Sequence, residues 1–432
     1  MLSAVDSGMA AATGREIQSP HLTRRGLLLV VCLSGPLLAA APRAVVAEQA
    51  LTLADALAIA LRSNLGLLAA RGRHAVGVAG VGIASAWPNP ELEADYTSSR
   101  PHPAFLFSQT IPFWAKRSAA IAVGRGELGL VDIGIDGVIQ QLRHDVRVHY
   151  YGLLFALRAE EIGGLELRND RELLELTQTR FRHGDVPELE VKQAGLGVGR
   201  AEASLKALSS DVGVARGELN LDLGRERDAS VALAGHLEAR PALPDLGKLV
   251  ERALSEGREA RELRQRVAVE ESRLRLARTG WIPDLTAGAG AEFNDPEFSV
   301  GPQFRLGLSI PILYRKSAEQ AQARAALEVL SREREALRQR LGTSLSSAFA
   351  RVQAADDQVG LYVASLVPSA REVRELYRDS YREGTVGILN LVDALRSERE
   401  VQLGYARALL DFHRALADLE QQAGVELTDG PA

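Results

Sequence analysis

Apolar residues recur along this chain with two different periods. From 53 to 87 and from 187 to 222 they fall at helical spacing in segments rich in Ala, Leu, Arg and Glu, and the run from about 114 to 182 does the same with no interior proline. At about 1.5 Å per residue that run makes a helix on the order of 100 Å long, too long to pack inside one globule. The shorter pieces hold 35 and 36 residues, and end to end they match the long helix beside which they would lie. A second long helix is expected from about 315 to 380, bent or loosened at Pro368. The charge-laced faces of these segments suit antiparallel coiled-coil packing.

Between the helices the period drops to two. Val300, Phe304, Leu306, Leu308 and Ile310 alternate with Gly301, Gln303, Arg305, Gly307 and Ser309, and Leu285, Ala287, Ala289, Ala291 and Phe293 line one side of the preceding run. Earlier in the chain, Leu92, Ala94 and Tyr96 alternate with Glu91, Glu93 and Asp95, and Phe105 and Phe107 flank Leu106. These patterns predict two hairpins, over about 91–111 and 284–310, with strands of about ten residues, the length that crosses a bilayer. Four strands cannot close a membrane barrel, since the smallest have about eight, so a membrane reading requires several copies. A soluble sheet covered on one face is the alternative.

The two periods are written twice. Leu53-Ala-Asp-Ala-Leu-Ala-Ile-Ala-Leu61 aligns with Leu246-Gly-Lys-Leu-Val-Glu-Arg-Ala-Leu254 at an offset of 193, and Trp87-Pro-Asn-Pro90-Glu-Leu92 meets Trp281-Ile-Pro283-Asp-Leu285 after a one-residue adjustment. Ile111-Pro112 meets Ile310-Pro311 at an offset of 199. Phe181-Arg-His-Gly184-Asp-Val186 meets Tyr381-Arg-Glu-Gly384-Thr-Val386 at 200, as Leu219 and Gly224 meet Leu419 and Gly424. The expected organisation is a first repeat over 48–230, a second over 231–427 and a tail at 428–432, in place of the three globular domains that 432 residues would suggest.

The first 47 residues read as an address. Arg24 and Arg25 precede an apolar stretch from Gly26 to Ala41, interrupted at Pro36 and followed by small residues, which is the layout of an export signal. Cleavage is expected after Val45-Val46-Ala47, with Ala39–Ala41 as the alternative site. The apolar run falls short of the ~20 residues of a spanning anchor. Cys32, the only cysteine, sits inside it after Val31, without the small neighbour a lipid-modification box requires. The mature chain then lacks cysteine and works outside the cytoplasm.

Composition removes other classes. The chain is 46% hydrophobic and 25% charged with only 5% aromatics, and its net charge of −5 offers no basic footprint for nucleic acid. Gly195-Leu-Gly197-Val-Gly199 follows no strand, so it lacks the setting of a dinucleotide loop. His144 and His149, five apart, do not share a metal-binding helix face, and the other histidines are scattered. No nucleophile, base and orienter stand together, so neither an enzyme nor a resident cofactor or metal is expected.

The doubled order of helix, two strands and helix resembles the TolC-like outer-membrane efflux family from Leu51 to Gly424, on the Pro-x-Leu before each first strand, the Ile-Pro after each second and the Tyr/Phe-Arg-x-Gly-x-Val turns. Asn89-Pro90-Glu91-Leu92 with Lys116-Arg117, and Leu308-Ser-Ile-Pro311 followed by Tyr314-Arg315, look most like its cobalt, zinc and cadmium resistance branch. The resemblance implies a mainly α fold with a β-barrel part: duplicated long hairpins forming a periplasmic tunnel, and four transmembrane strands per chain closed into a barrel by a homotrimer in the outer membrane. It also implies a passive exit duct that receives heavy-metal cations from an inner-membrane pump of the resistance-nodulation-division type through a periplasmic adaptor. Drug efflux and type I protein secretion use similar ducts. The rivals outside transport are a periplasmic adaptor and a coiled-coil scaffold.

By the same resemblance, Gly184, Val186, Gly384, Thr385, Val386 and Gly387 form tips that meet the adaptor. Just inside them, Glu190, Gln193, Asn390 and Asp393 fall where the family narrows its tunnel with acidic rings, whose repetition around an axis favours cations. Asn390 departs from the usual carboxylate. Phe181 and Tyr381 match positions that hold the closed state through helix-to-helix contacts.

Overall fold

The computed structural model describes residues 50–96, 103–294 and 299–427. The export signal expected over 1–47, the tail at 428–432 and the hairpin loop at 97–102 lie outside the described residues. Each repeat opens with a capped pair of helices, α1 (Leu53–Ser63) and α2 (Leu65–Ser85) in the first, α5 (Leu246–Glu256) and α6 (Arg258–Arg278) in the second. Thr52 and Asp55 cap α1 reciprocally, and Asp245 caps α5 through the Lys248 amide at 2.9 Å. The single helix expected over 53–87 is broken at Asn64, where α1 and α2 meet at 47°. Asn64 has extended backbone, its side chain accepts from the Leu67 amide at 2.9 Å and donates to the Asp222 carbonyl at 3.0 Å, so capping and docking outweigh continuation of the helix. Gly257 makes the same break in the second repeat.

The long helix is present as α3 (Trp114–His183), 70 residues, followed by α4 (Glu188–Asp222). Its counterpart is not continuous: α7 (Ser317–Leu361) passes through a five-residue π segment, Tyr362–Leu366, into α8 (Val367–Arg382), and α9 (Ile388–Ala423) returns. The cause is Pro368. It has no N–H to give and its ring would strike the carbonyl of residue 364, so the turn ahead of it widens by one residue.

The strands β1 (Glu91–Asp95), β2 (Ala104–Ile111), β3 (Asp284–Asn294) and β4 (Ser299–Ser309) form one antiparallel sheet in the order β1-β2-β3-β4. β3 and β4 have eleven residues each, whereas β1 has five and β2 eight among the described residues, shorter than the ten expected. The register places Leu92 beside Phe107, Phe107 beside Ala289 and Ala289 beside Phe304, and likewise Ile111 beside Leu285 and Leu285 beside Leu308, so one face is apolar across all four strands but for Gln109. That face is bare: Phe304 is 81% exposed and Leu306 78%. The helices continue the order of the strands, with α2 against α3, α3 against α6 and α6 against α7. Among the described residues β1 and β4 each pair with one strand only, so the sheet has two open edges. No single helix among the described residues is long and apolar enough to cross a membrane.

The two larger cores among the helices are copies. Ala56, Ala60, Val146, Leu153 and Leu219 pack in one, and Leu249, Ala253, Leu345, Val352 and Leu419 occupy the matching places in the other. Among the described residues, the four glycines with positive φ also fall in pairs, Gly184 with Gly384 and Gly224 with Gly424, each ending a helix where a left-handed residue is required.

Candidate functional site at the helical tips

The two turns are built alike. Gly184 and Asp185 donate backbone bonds to the carbonyls of Phe181 and Arg180 at 2.9 and 3.0 Å, and Gly384 and Thr385 donate to those of Tyr381 and Ser380 at 3.1 and 3.0 Å. Positively charged Arg180 and Arg182 lie in the last turn of α3, where they complement the carbonyl end of the helix dipole. Gly184, Gly384, Thr385 and Gly387 are exposed, while Val186 is buried and Val386 half-buried. Val386 packs against a small core of Leu173, Ala194, Tyr381, Ile388 and Leu391 that joins the two hairpins.

Tyr381 is the centre of that core, 1% exposed. Its hydroxyl lies 3.3 Å from Oγ1 of Thr177 on α3 and donates to Oε2 of Glu190 on α4 at 3.4 Å. Arg180 donates to the Tyr381 carbonyl at 3.1 Å and stands 4.9 Å over its ring. Three groups from the first repeat therefore grip one side chain of the second. Phe181, the counterpart of Tyr381, is 44% exposed and joins no such contact, so of the two aromatic positions only Tyr381 bridges the hairpins. Thr177 and Arg180 escaped the sequence reading. Their signal lies in the differences between repeats, since Arg180 faces Ser380, Phe181 faces Tyr381 and Glu190 faces Asn390 at the common offset.

The four expected ring residues occupy two environments. Asn390 and Asp393 are exposed on α9. Glu190 is half-buried against Tyr381, and Gln193 lines a cavity of about 430 Å³ between the hairpins with Glu166, Asp170, Arg374, Glu398 and Arg399. Glu398 is buried and lies 3.3 Å from Nε of Arg374, and Arg399 pairs with Glu166. Burial and the neighbouring Glu166 charge push the Asp170 carboxyl up. Such half-dry ion pairs are specific about geometry, because losing one partner strands the other.

His144 and His149 are held against carboxylates. His149 bonds Asp222 at 2.6 Å, His144 lies between Asp145 and Asp418, and among the described residues no group of three or more His, Cys, Asp or Glu converges on a metal position.

A family model described as outer membrane efflux protein matches residues 56–225 and 249–425, once per repeat. The cobalt-zinc-cadmium resistance protein CzcC of Cupriavidus metallidurans is 21% identical over 377 residues, covering 87% of this chain and 90% of that protein. Among solved structures, CusC superposes with a TM-score of 0.71 at 16% identity, covering 88% of this chain and 93% of that one. VceC of Vibrio cholerae gives 0.69 at 15%, covering 87% and 97%, and the open state of the Neisseria gonorrhoeae MtrE channel gives 0.70 at 17%, covering 86% and 89%.

Proposed function

The chain belongs to the outer membrane efflux protein family, the TolC-like channels that lie in the outer membrane and extend into the periplasm, and from that premise we propose that it is the exit duct of a tripartite pump for heavy-metal cations. The observation that carries the duct is the bare apolar face of a four-stranded sheet with two free edges. Lipid satisfies the face, and copies of the chain satisfy the edges; three copies give a twelve-stranded barrel continued by helices that follow the same order. Residues 1–47 direct export, and the two repeats at 48–230 and 231–427 each supply one hairpin of the wall. The metal cargo rests on the likeness to CzcC, a cobalt-zinc-cadmium resistance protein.

Family and fold are those of a transport channel, and the energy for transport comes from a partner. The exposed turn at Gly184 and the turn of Gly384, Thr385 and Gly387, with Val186 and Val386 beneath, receive a periplasmic adaptor, and a resistance-nodulation-division pump feeds the duct from the inner membrane. Tyr381 holds the tip closed, and the adaptor biases it toward the open packing. Asn390 and Asp393, exposed on α9, line the aperture, and Glu190 and Gln193 back them.

Detergent-extracted protein should purify as a trimer and form channels in planar bilayers, and deletion should sensitise cells to cobalt, zinc and cadmium. A water-soluble monomer without channel activity would overturn the duct. Sensitisation to drugs with no change toward metals would overturn the cargo and leave the duct standing.

A further inference from the structure

Leu106 breaks the alternation of the sheet. It lies on the polar face of β2, between Ala104 and Ser108, yet it is 1% exposed, and Ser108 beside it is buried as well. The register shows what surrounds it. In the row of Leu106 stand Glu93 on β1, Gly290 on β3 and Gln303 on β4; two residues along, Ser108 is flanked by Glu91, Gly288 and Arg305. On this face the central strand β3 contributes only hydrogen at both rows. A Cβ on Gly290 would come within 2.0 Å of the Phe105 carbonyl oxygen, and one on Gly288 would meet Cδ1 of Leu106 at 3.5 Å. Leu106 thus leans into the space above Gly288, and the sheet curls about the two glycines.

The curl brings the two edge strands together. Arg305 of β4 forms an ion pair with Glu93 of β1, reaching past both intervening strands. Arg305 is the one basic residue among the described strand residues, whereas Glu91, Asp95, Asp284 and Glu292 share its face with Glu93.

We propose that the Glu93–Arg305 pair is a brace on the inner face of the barrel, which narrows the lumen at that level and determines its charge selectivity independently of the helical tip. The proposal rests on the duct reading, which turns the apolar face to lipid and this face inward. Spanning the concave side, the pair occupies space that would otherwise be water. Holding the guanidinium against Glu93 neutralises the one cation among the described strand residues, so Glu91, Asp95 and Glu292 present an acidic path to a passing cation, Asp284 being paired with Lys116 at 2.8 Å. Released from Glu93, Arg305 would stand in that path as a bare positive charge. Three copies repeat the brace around the axis.

Single-channel recording on the trimer tests it. Arg305→Ala should raise conductance by about 1.5-fold and increase cation preference, because it removes both the obstruction and the positive charge. Glu93→Ala should lower cation preference by freeing Arg305, and the exchange Glu93→Arg with Arg305→Glu should return both quantities toward wild type. Unchanged conductance and selectivity in both single variants would overturn the brace. So would an exchange that behaves as the sum of its parts.

Juxtaposition can be read without conduction. Glu93→Cys with Arg305→Cys, in a mature chain otherwise free of cysteine, should be joined within one chain by a short bis-maleimide. A conducting wild type whose two cysteines do not link overturns the brace alone. A wild type that does not conduct overturns the duct and, with it, the luminal role, even where the cysteines link.

Discussion

The phenol oxygen of Tyr381 lies 3.3 Å from Oγ1 of Thr177, one of the contacts that join the two halves of a duplicated chain. The Thr177 hydroxyl already donates to the Leu173 carbonyl at 2.7 Å, so its partner in α8 can be removed without leaving it unsatisfied. Tyr381→Phe keeps the packed ring and loses the contacts to Thr177 and Glu190, a loss of about 1 kcal/mol. In bilayer recordings the variant should open roughly fivefold more often, the factor that energy corresponds to at room temperature. Tyr381→Ala should destabilise the tip by about 3 to 5 kcal/mol, seen as faster proteolysis at the turns. Wild-type gating in Tyr381→Phe would remove the hydroxyl from the latch.

Periodicity made the long elements legible, because the 70 residues of α3 keep helical spacing with no proline to interrupt it and most strand positions alternate. The repeat offsets also align the paired cores and the paired glycines. Breaks were harder. Asn64 reads as an ordinary polar position in a helical run, and only its bond to the Asp222 carbonyl, 158 residues away, makes it a boundary. Pro368 announced a disturbance but not its form, since a bend and a π turn relieve the same clash. The Tyr381 contact was half visible: an aromatic beside each turn glycine is local information, but which aromatic is buried depends on Thr177, Arg180 and Glu190 arriving from elsewhere. The brace had no local signal at all, because Glu93 and Arg305 are 212 residues apart and only the register with two intervening glycines joins them.

His149 ties stability to pH from above. Its bond to the Asp222 carboxylate raises the imidazole above its ordinary 6.5, with Glu218 and Asp145 adding to the effect against the opposing pull of burial. A base raised on folding stabilises the native state fully below its unfolded value, and that contribution fades as pH climbs through the folded one. Thermal unfolding should therefore show wild type losing its advantage over His149→Asn as pH rises from 6 toward 9. A constant difference across that range would mean the pair is not titrating.

His413 acts from below. Buried at 3% exposed, stacked 3.6 Å from Tyr151 and bonded to the Leu237 carbonyl at 2.9 Å, it is pushed down to about 4 by burial. The unfolded chain protonates this imidazole first, so stability is complete above about 6.5 and declines as pH falls toward 4, by roughly 3 kcal/mol over the window. His413→Leu should lose the carbonyl bond yet flatten the acid arm of the stability profile between those values. The same acid slope in the variant would assign that sensitivity to other groups.

The paired glycines separate backbone strain from crowding. Gly184→Ala places a side chain in open space at φ +83°, so its penalty is the left-handed conformation alone, about 1 kcal/mol. Gly224→Ala adds a Cβ 2.4 Å from the Ser63 carbonyl oxygen, in the joint where α4 meets the α1–α2 break, and should cost about 2 to 4 kcal/mol. Denaturant unfolding of the two variants decides the order. Equal losses would show that the joint has room to shift.

Asp393 and Gln193 occupy equivalent places in the two repeats and differ in access: Asp393 is exposed on α9, while Gln193 is half-buried beside Asp170 and Arg374. If the aperture is lined as proposed, Asp393→Cys in the thiol-free mature chain should react rapidly with a cationic methanethiosulfonate. The charge at this ring then changes from negative to positive, which should lower both conductance and cation preference. Gln193→Cys should react many times more slowly, because the reagent must enter the cavity between the hairpins. Equal rates at the two positions would place Gln193 on the open surface. Modification at Asp393 without any change in current would move the aperture elsewhere on the tip.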